Sequence, residues 1–345
     1  MILCIAVSWM RKISTTATSR FNTSTCTKNC LDDLELSQMS VLIVGSIAYD
    51  SVESPAGAVT RALGGSATYG GLSCRFVQCL SSQSATGLVG VVGEDFDASD
   101  RAVLTEAGLN LDGVEVAAGE TFRWEGSYHG AMAEAETHAT YLNVFEHFQP
   151  VVPDRWKNPN VLFCANLHPE IQRSVIQQTN PARMTMLDSM NLWINIAKPA
   201  LLEVMTAVDL VIINDGEVRM LLDDENIVRA MQNLAAQTKT NTLIVKRGEH
   251  GVLALHGKTL LALPAFPTAD VVDPTGCGDT FAGALAAHLA EGAGPVSDDE
   301  LREGLMKATV MASFTLEAFG TDALQSLDTG RYRSRMTTYR RMLGH

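Results

Sequence analysis

The sequence has no uninterrupted apolar run that approaches the ~20 residues needed to span a bilayer. Positive charge is also scarce, because 26 Lys and Arg stand against 39 Asp and Glu and leave a formal net charge of −13. Without a basic stripe to follow a phosphate backbone, the composition argues against binding to nucleic acid or to acidic membranes. A small anionic ligand stays compatible with this charge, since a few N–H groups at a helix N-terminus can hold a phosphate.

Paired cysteines are absent as well. The seven cysteines form no Cys-x-x-Cys pair, and their odd number fits neither a disulfide framework nor a structural zinc site. We therefore expect a reducing compartment such as the cytoplasm. Hydrophobic residues make up 46% and charged residues 19% of the 345 positions, which is typical of a globular chain with one large domain or two ordinary ones.

The first forty residues differ from the rest of the chain. Residues 11–28 are rich in Ser and Thr and contain basic residues, and no acidic residue occurs before Asp32. This composition resembles an organelle transit peptide, whereas the alternative is a mis-called start with the true initiator at Met39. Residues 1–40 are therefore interpreted as a disordered leader. The protein would reach an organelle stroma or matrix only if this leader is a transit peptide.

Short apolar runs recur along the rest of the chain. The first is residues 41–44, and six others follow at residues 87–92, 161–165, 184–187, 210–213, 243–245 and 252–255. Helical stretches separate most of them, and strands that alternate with helices predict a mainly parallel sheet covered on both faces. The α/β body is expected over residues 41–330, and residues 331–345 are interpreted as a C-terminal tail.

One segment interrupts this alternation. Residues 121–128 and 138–145 have the mixed polarity of two strands, and they occupy a position where a helix of the main layer would be expected. The insertion, residues 117–147, is interpreted as a small β lid. A surface hairpin without a role is the alternative.

The strongest local signal is the run Asp273-Pro274-Thr275-Gly276-Cys277-Gly278-Asp279, which lies between an extended segment and a helical one. Glycines at such a junction let the backbone approach a ligand, and the free N–H groups of the first helical turn point at it. The run therefore predicts an anion site. A carboxylate there repels the anion unless it accepts a proton from an attacking hydroxyl, so Asp279 is a candidate general base, with a helix cap as the alternative.

Two further segments follow predicted strands. Asn214 and Glu217 come directly after residues 210–213, where they could hold a hydrated Mg²⁺ with phosphates or form a capping pair. Lys246, Gly248 and Gly251 belong to a tight glycine turn after residues 243–245. This turn fits either a hairpin or a nucleotide-facing loop.

Polar and glycine residues also follow the first predicted strand. Asp50 could accept two hydroxyl hydrogen bonds from a polyol, and Gly64 and Gly65, which precede a predicted helix, would let the backbone approach it. The alternatives are a solvated loop acid and a pair of glycines that packs a helix.

Together these segments resemble the PfkB family of carbohydrate and nucleoside kinases, over residues 41–327. The family signature Asp-Thr-x-Gly-Ala-Gly-Asp is similar to residues 273–279, with Pro274 and Cys277 as departures. Four other segments agree in order and position: Asn214-x-x-Glu217, residues 248–251, Gly90-x-x-Gly93-x-Asp95 and Gly64-Gly65. The resemblance implies a ribokinase-like fold, a three-layer α/β/α sandwich whose mainly parallel central sheet carries a small β lid.

The resemblance also implies a role for each matching residue. Asp279 would be the catalytic base, and Gly276, Cys277 and Gly278 would form the anion hole for the transferred phosphoryl group. The nucleotide site would comprise Asn214, Glu217, Lys246, Gly248, Gly251 and Thr275, with Glu217 reaching Mg²⁺ through water. The substrate contacts would be Asp50, Gly64, Gly65, Ser66, Tyr69 and Arg123. Some relatives hold K⁺ near the anion hole, which would place that ion at Asp273.

The implied activity is ATP-dependent transfer of the γ-phosphoryl group to a primary hydroxyl of a sugar or nucleoside, with ATP and Mg²⁺ as cofactors. The alternative is a catalytically silent, kinase-like ATP-binding regulator or scaffold. Because the family's lid often forms a dimer contact, a homodimer through this segment is compatible with the resemblance.

One departure concerns the acceptor. Members that bind ribose or adenosine commonly carry Asn where this chain has Tyr69, and a ring with a single phenol predicts a different acceptor, such as a hexose, a sugar acid or a non-adenine nucleoside. On the predicted lid strand, alternation puts Arg123 on the opposite face from Phe122 and Trp124. If the two aromatic rings face inward they favour an aromatic base, and if Arg123 faces inward it favours an acidic sugar.

Overall fold

The computed structural model describes residues 40–81, 84–132 and 135–344. Apart from Ser40, the interpreted leader lies outside the described residues. Over these ranges the chain forms a nine-stranded sheet, a second sheet of four strands, and helices that cover both faces of the larger sheet. The predicted α/β class with a mainly parallel central sheet is confirmed.

The strands of the described residues are numbered in chain order. They are β1 (Val41–Val44), β2 (Ala48–Ser54), β3 (Gly57–Gly64), β4 (Thr86–Gly93), β5 (Leu109–Ala117), β6 (Phe122–Tyr128), β7 (Ala135–Tyr141), β8 (Val161–Cys164), β9 (Met184–Asp188), β10 (Leu210–Asn214), β11 (Thr242–Lys246), β12 (Val252–His256) and β13 (Thr259–Leu263).

The helices of the described residues are numbered in the same way. They are α1 (Ser66–Ser81), α2 (Ala98–Glu106), α3 (Pro169–Gln178), α4 (Asn191–Met205), α5 (Asp215–Leu222), α6 (Ile227–Thr238), α7 (Cys277–Glu291), α8 (Asp298–Thr315), α9 (Asp322–Gln325) and α10 (Thr329–Met342). None of them combines the length and apolarity that a membrane span requires.

The larger sheet has the strand order β13-β12-β11-β10-β9-β8-β1-β4-β5. Its strands are parallel from β11 to β5, and β12 and β13 add an antiparallel edge. All seven predicted apolar runs are strands of this sheet. The runs did not predict β5 and β13, because these edge strands are partly exposed and polar residues interrupt their apolar pattern.

Both faces of the larger sheet are buried, which explains why its strands are continuous apolar runs. Along β1, Val41 and Ile43 pack into the core beneath α1, α7 and α8, whereas Leu42 and Val44 pack into the core on the other side, with residues of α3. The carboxyl ends of the parallel strands meet at one edge of the sheet, and ligands of open α/β sheets bind in the crevice outside this edge.

The smaller sheet is the lid, and it is larger than predicted. Its order is β3-β2-β6-β7, so the hairpin β2–β3 joins the two strands that the sequence indicated. The apolar runs did not predict this hairpin, and a bulge after Asp50 interrupts the regular pairing of β2 with β3. The predicted strand 138–145 is shifted: β7 covers Ala135–Tyr141, and Asn143, at a φ of 51°, starts a short 3-10 turn over Asn143–His147.

The interpreted C-terminal tail is a helix that packs on the body. Tyr332 and Tyr339 of α10 are buried, and the Tyr339 hydroxyl donates a hydrogen bond to the carbonyl oxygen of Pro264. Arg335 of the same helix lies over the ring of Phe314 in α8. The boundary placed at residue 330 therefore does not separate a tail from the fold in the described structure.

Candidate active site

The run from Asp273 to Asp279 forms a turn that ends in the first residues of α7. Gly276 has a φ of 76°, in the left-handed region that favours glycine, and α7 begins at the next residue without a side-chain cap. Cys277 N–H donates to the carbonyl oxygen of Pro274 at 3.1 Å. Of the three predicted anion-hole donors, the Cys277 N–H is thus already engaged within the turn, and an anion hole at residues 276–278 stays a prediction.

Asp279 lies in the first turn of α7. It is not the helix cap that was the alternative, because Gly276 occupies that position. Burial raises the pKa of Asp279 to about 7, and Asp188 adds to this shift while Lys246 opposes it. A carboxyl group that titrates near neutral pH is suited to accept a proton from a hydroxyl.

A buried ion pair lies beside the start of α7. Lys246, the last residue of β11, donates from Nζ to Asp188 Oδ2 at 2.8 Å, and Asp188 ends β9. A Cβ atom on Gly278 would lie 2.8 Å from Lys246 Nζ, so the ammonium group sits against the backbone of the predicted anion hole. Burial opposes the charge of Lys246, but Asp188 and Glu217 outweigh it and raise its pKa. The ion pair therefore holds the Lys246 ammonium group beside the predicted anion hole.

Asn214 and Glu217 form a capping box at the start of α5. Asn214 Oδ1 accepts from Glu217 N at 2.8 Å, and Glu217 Oε2 accepts from Asn214 N at 2.7 Å. Burial raises the pKa of Glu217 to about 7, against the opposing effect of Lys246. The structure therefore shows the capping pair that was one of the two interpretations. The Glu217 carboxyl group also lies near the charged groups of Lys246, Asp188 and Asp279.

Asp50 lies in β2 of the lid rather than in a solvated loop. Its side chain is 5% exposed, and burial raises its pKa to about 7, with Asp273 and Asp279 adding to the shift and the N–H of Gly65 opposing it. A Cβ atom on Gly64 would lie only 2.0 Å from Asp50 Oδ2. The absence of a side chain at Gly64 thus admits this carboxylate next to the backbone, and a contact of Gly64 and Gly65 with the acceptor stays a prediction.

These groups come from separate parts of the chain and converge at the carboxyl edge of the larger sheet. A model of the pfkB family carbohydrate kinases matches residues 38–328. The chain belongs to the pfkB carbohydrate kinase family. Its likeness to solved structures agrees with this. For example, a nucleoside kinase of Methanocaldococcus jannaschii, described as an archaeal member of the ribokinase family, has a TM-score of 0.67 at 18% identity and covers 88% of this chain and 99% of its own.

The names of three further relatives differ from one another. The cytidine kinase of Thermococcus kodakarensis is 25% identical over 260 residues, which are 74% of this chain and 90% of that protein. The bifunctional protein HldE of Pseudomonas aeruginosa is 36% identical over 110 residues, only 32% of this chain and 22% of that protein. A putative ribokinase II of E. coli, solved with ATP and Mg²⁺, has a TM-score of 0.70 at 16% identity and covers 87% of this chain and 99% of its own. Kinases of this family use ATP to phosphorylate a sugar or nucleoside, and this is the activity class of the chain.

Tyr69 lies between the two halves of the kinase site. The residue is 1% exposed, and a Cβ atom on Gly276 would lie 2.4 to 2.5 Å from three atoms of its ring, so the ring packs against the signature turn. Its hydroxyl is buried without a hydrogen-bond partner in the described structure. Burial raises the pKa of Tyr69 well above its usual range, and nearby Asp50 and Asp273 add to the shift.

Two predicted substrate contacts, Ser66 and Arg123, have protein partners in the described structure. The Ser66 hydroxyl accepts from the N–H of Ser46 at 3.1 Å and lies 3.2 Å from its hydroxyl, so it joins α1 to the chain after β1. Arg123 pairs with Asp95 at 3.0 Å and with Glu120 at 3.1 Å. The register of β2 and β6 places Arg123 on the face of the lid opposite Asp50, and a contact between Arg123 and the acceptor stays a prediction.

The glycine turn after β11 forms a hairpin, which was one of the two interpretations of this segment. Gly248 and Gly251 both have a positive φ, and β11 pairs with β12 in antiparallel register. A Cβ atom on Gly251 would lie 2.1 Å from the carbonyl oxygen of Leu263, so this glycine permits a close approach between backbone segments. A nucleotide contact at this turn stays a prediction.

Two site residues were missed. Asp188 could have been found by the rule that pointed to Asn214, since it directly follows the predicted strand at residues 184–187 and lies at the same edge of the sheet. Tyr128 of β6 had no signal: its hydroxyl oxygen accepts from Thr275 Oγ1 at 3.3 Å and so joins the lid to the signature turn. Thr275 also donates from its N–H to Asp273 Oδ1 at 2.9 Å.

A groove of about 670 Å³ lies apart from these groups. Its lining includes Phe145 of the 3-10 turn after the lid, His168 at the start of α3 and Trp193 of α4. Phe145 belongs to the core on the face of the sheet opposite α7. The groove is therefore separate from the carboxylates of the kinase site.

Proposed function

We propose that this pfkB kinase transfers the γ-phosphoryl group of ATP to a primary hydroxyl of a sugar or nucleoside, with Asp279 as the general base. The observation that carries the proposal is the position of Asp279, whose pKa is raised to about 7, at a helix N-terminus that has no side-chain cap. A proton acceptor and an anion site are thereby combined within one helical turn.

The acceptor side of the site is supported by the lid. Asp50 and the backbone at Gly64 and Gly65 would hold the acceptor hydroxyls, and Tyr69 would close the space next to Gly276. Asp279 would take the proton of the attacking hydroxyl as the new bond to phosphorus forms. Closure of the lid over this point would exclude water, which otherwise competes as the acceptor.

The phosphate side is supported by the charges around the start of α7. The N–H groups of Gly276 and Gly278, together with the Lys246 ammonium group, would stabilise charge on the phosphoryl group in transit, and each such donor is worth ~10² to 10³ in rate. The residues proposed to hold the nucleotide are Asn214, Glu217, Gly248, Gly251 and Thr275, with Glu217 facing hydrated Mg²⁺. Mg²⁺, when bound with ATP, would neutralise the charge of the phosphates.

Three finer predictions concern K⁺, the oligomeric state and the compartment. Both oxygens of Asp273 accept backbone N–H groups, from Thr275 at 2.9 Å and Gly320 at 3.2 Å, so a K⁺ ion there would share this carboxylate with the turn. A homodimer through the lid, and the cytoplasm or an organelle as the compartment, stay predictions.

A panel of sugars and nucleosides with ATP tests the activity through the ADP that is formed. Asp279→Asn should bind ATP as the wild type does and should lose turnover by ~10² or more, because a neutral amide cannot accept the proton. Asp299→Asn, which removes an exposed carboxylate in α8, is the matched control and should keep full turnover.

The alternative, a catalytically silent ATP-binding regulator or scaffold, predicts a different outcome. Wild type and both variants would then bind ATP alike, and none would form ADP with any acceptor. Near-normal turnover in Asp279→Asn would instead show that the general base has been assigned to the wrong residue.

A further inference from the structure

The register of the lid strands decides which side chains share a face with Asp50. Strands β2 and β6 are parallel, and Asp50 lies opposite Trp124 while Tyr49 lies opposite Arg123. Because side chains alternate along a strand, Trp124, Gly126 and Tyr128 point to the same side of the lid as Asp50. Tyr128 accepts a hydrogen bond from Thr275 in the signature turn, so this is the side that faces the kinase site.

Trp124 presents a flat surface on this inward side. A Cβ atom on Gly126 would lie 2.4 and 2.5 Å from two atoms of the six-membered ring of its indole, so the ring lies across Gly126. Its Nε1 donates to Thr137 Oγ1 at 3.3 Å, which fixes the orientation of the ring, and the side chain stays partly exposed. One face of the indole rests on the strand, and the exposed part is open to a ligand. Phe122, in contrast, packs against Phe145 in the core.

The position of the indole sets a minimum length for the ligand. Gly126 lies two residues, or about 7 Å, further along the strand than the level of Asp50. A ligand that bonds to Asp50 and also covers this ring needs a hydroxyl-bearing part at one end and a flat group beyond it. A monosaccharide alone has only the first part.

Charge gives a second, independent restriction. Asp50 lies near two other carboxylates, those of Asp273 and Asp279, and both raise its pKa further. Arg123 is bound to Asp95 and Glu120 on the other face of the lid. Lys246 is bound to Asp188 on the phosphate side of α7. A carboxylate or phosphate on the acceptor would therefore meet like charge without a compensating cation in the described part of the site.

We infer that the acceptor is an uncharged nucleoside, whose sugar hydroxyls bond to Asp50 and whose base lies on the indole of Trp124. The inference rests on the proposed kinase activity and names its substrate class. Of the acceptors that Tyr69 left open, a non-adenine nucleoside agrees with it, and a hexose and a sugar acid do not. Stacking on an aromatic ring is worth enough per base to change binding by about tenfold or more.

The test compares uridine, cytidine, inosine, ribose, glucose, gluconate and fructose 6-phosphate in wild type, Trp124→Ala and Trp124→Phe. We expect a nucleoside to give the highest kcat/KM, and Trp124→Ala to raise its KM about tenfold or more with a smaller effect on kcat. Trp124→Phe should recover most of the loss, since it keeps an aromatic face. Weak turnover of ribose should be the same in all three proteins.

Tyr141→Ala is the matched control. Tyr141 is an exposed aromatic residue that lies opposite Arg123 in the register of β6 and β7, so it belongs to the outward face of the same lid. This variant should leave nucleoside kinetics unchanged. An equal effect of Tyr141→Ala and Trp124→Ala would point to general disturbance of the lid and would overturn the stacking argument.

Calorimetric binding of the same compounds without ATP separates this inference from the proposed function. If a nucleoside binds and Trp124→Ala weakens it while no compound is phosphorylated, the proposed function fails and the inference about the ligand stands. If gluconate or fructose 6-phosphate is the best acceptor, if a free sugar exceeds every nucleoside, or if no nucleoside binds, the inference is wrong and the kinase assignment is untouched.

Discussion

At the scale of single residues, the site contains carboxyl groups whose charged form is disfavoured by burial. Burial is the largest cause of the raised pKa of Asp50, Glu217 and Asp279, each to about 7. In the unfolded chain such groups lose their protons near their ordinary values of 3.8 or 4.5. Between those values and pH 7 the folded protein therefore holds protons that the unfolded chain has released, and the free energy of unfolding falls as the pH rises.

We predict that Asp50→Asn stabilises the ligand-free protein at pH 8, since the amide carries no buried charge. With about 1.4 kcal/mol per pKa unit as a guide, the gain should be on the order of 4 kcal/mol, and it should shrink toward pH 5. Thermal melts of wild type, Asp50→Asn and the surface control Asp299→Asn from pH 5.5 to 8 measure it. If the Tm of Asp50→Asn at pH 8 stays below that of the wild type, the buried charge of Asp50 does not destabilise the folded protein, and the prediction is wrong.

Lys246 gives a second prediction at the residue scale. Its ammonium group lies against Gly278 and away from the acceptor side, so Lys246→Met should lower kcat by ~10² or more while the KM of the acceptor changes little. Lys258→Met, which removes an exposed lysine in the β12–β13 turn, is the control. Unchanged kcat in Lys246→Met, with a melt close to that of the wild type, would show that the pair with Asp188 is structural only.

At the scale of elements, the lid is attached to the larger sheet through the loop after β4. Asp95 of this loop accepts from Thr121 N and Thr121 Oγ1, both at 2.7 Å, and from Arg123 at 3.0 Å. Tyr49 of β2 donates to Asp100 at 2.8 Å, and the Arg61 guanidinium lies 3.9 Å from the centre of the Tyr49 ring. These contacts hold the outer face of the lid and leave its inner face to the site.

Arg123→Met tests this division of the two faces. Because the Arg123–Asp95 pair is partly exposed, its loss should cost at most about 1 kcal/mol of the free energy of unfolding, measured in urea. The ranking of neutral and acidic acceptors should stay the same. A selective loss of activity toward acidic acceptors would restore Arg123 as a substrate contact.

At the scale of the whole molecule, α10 completes the core beside α8. Tyr332 is 4% exposed and Tyr339 is fully buried, although the rest of the helix is rich in exposed arginine. A chain that ends at residue 328 should lose on the order of 4 kcal/mol or more, comparable to the truncation of one large aromatic side chain in a core. A Tm within a degree or two of the full chain would show that α10 is dispensable.

The sequence by itself determined the features that depend on neighbouring residues. Apolar runs predicted seven strands of the larger sheet, because a strand buried on both faces must be apolar throughout. The run from Asp273 to Asp279 predicted an anion site, because its glycines and the start of the following helix can both be recognised from neighbouring residues. The residues themselves suggested roles for Asp279, Asp50 and Glu217 in the reaction but left alternatives open, the resemblance favoured these roles, and they stay predictions.

Only the tertiary structure decided which distant residues meet and which faces point inward. Asp188 and Lys246 are 58 residues apart, and they form an ion pair because β9 and β11 end at the same edge of the sheet. Alternation alone separates Arg123 from Trp124, but only the contact of Tyr128 with the signature turn shows that the face with Trp124 points inward. The hairpin β2–β3 and the helix α10 were hidden for the same reason: their polar positions are stabilised by partners elsewhere in the chain, which no local pattern records.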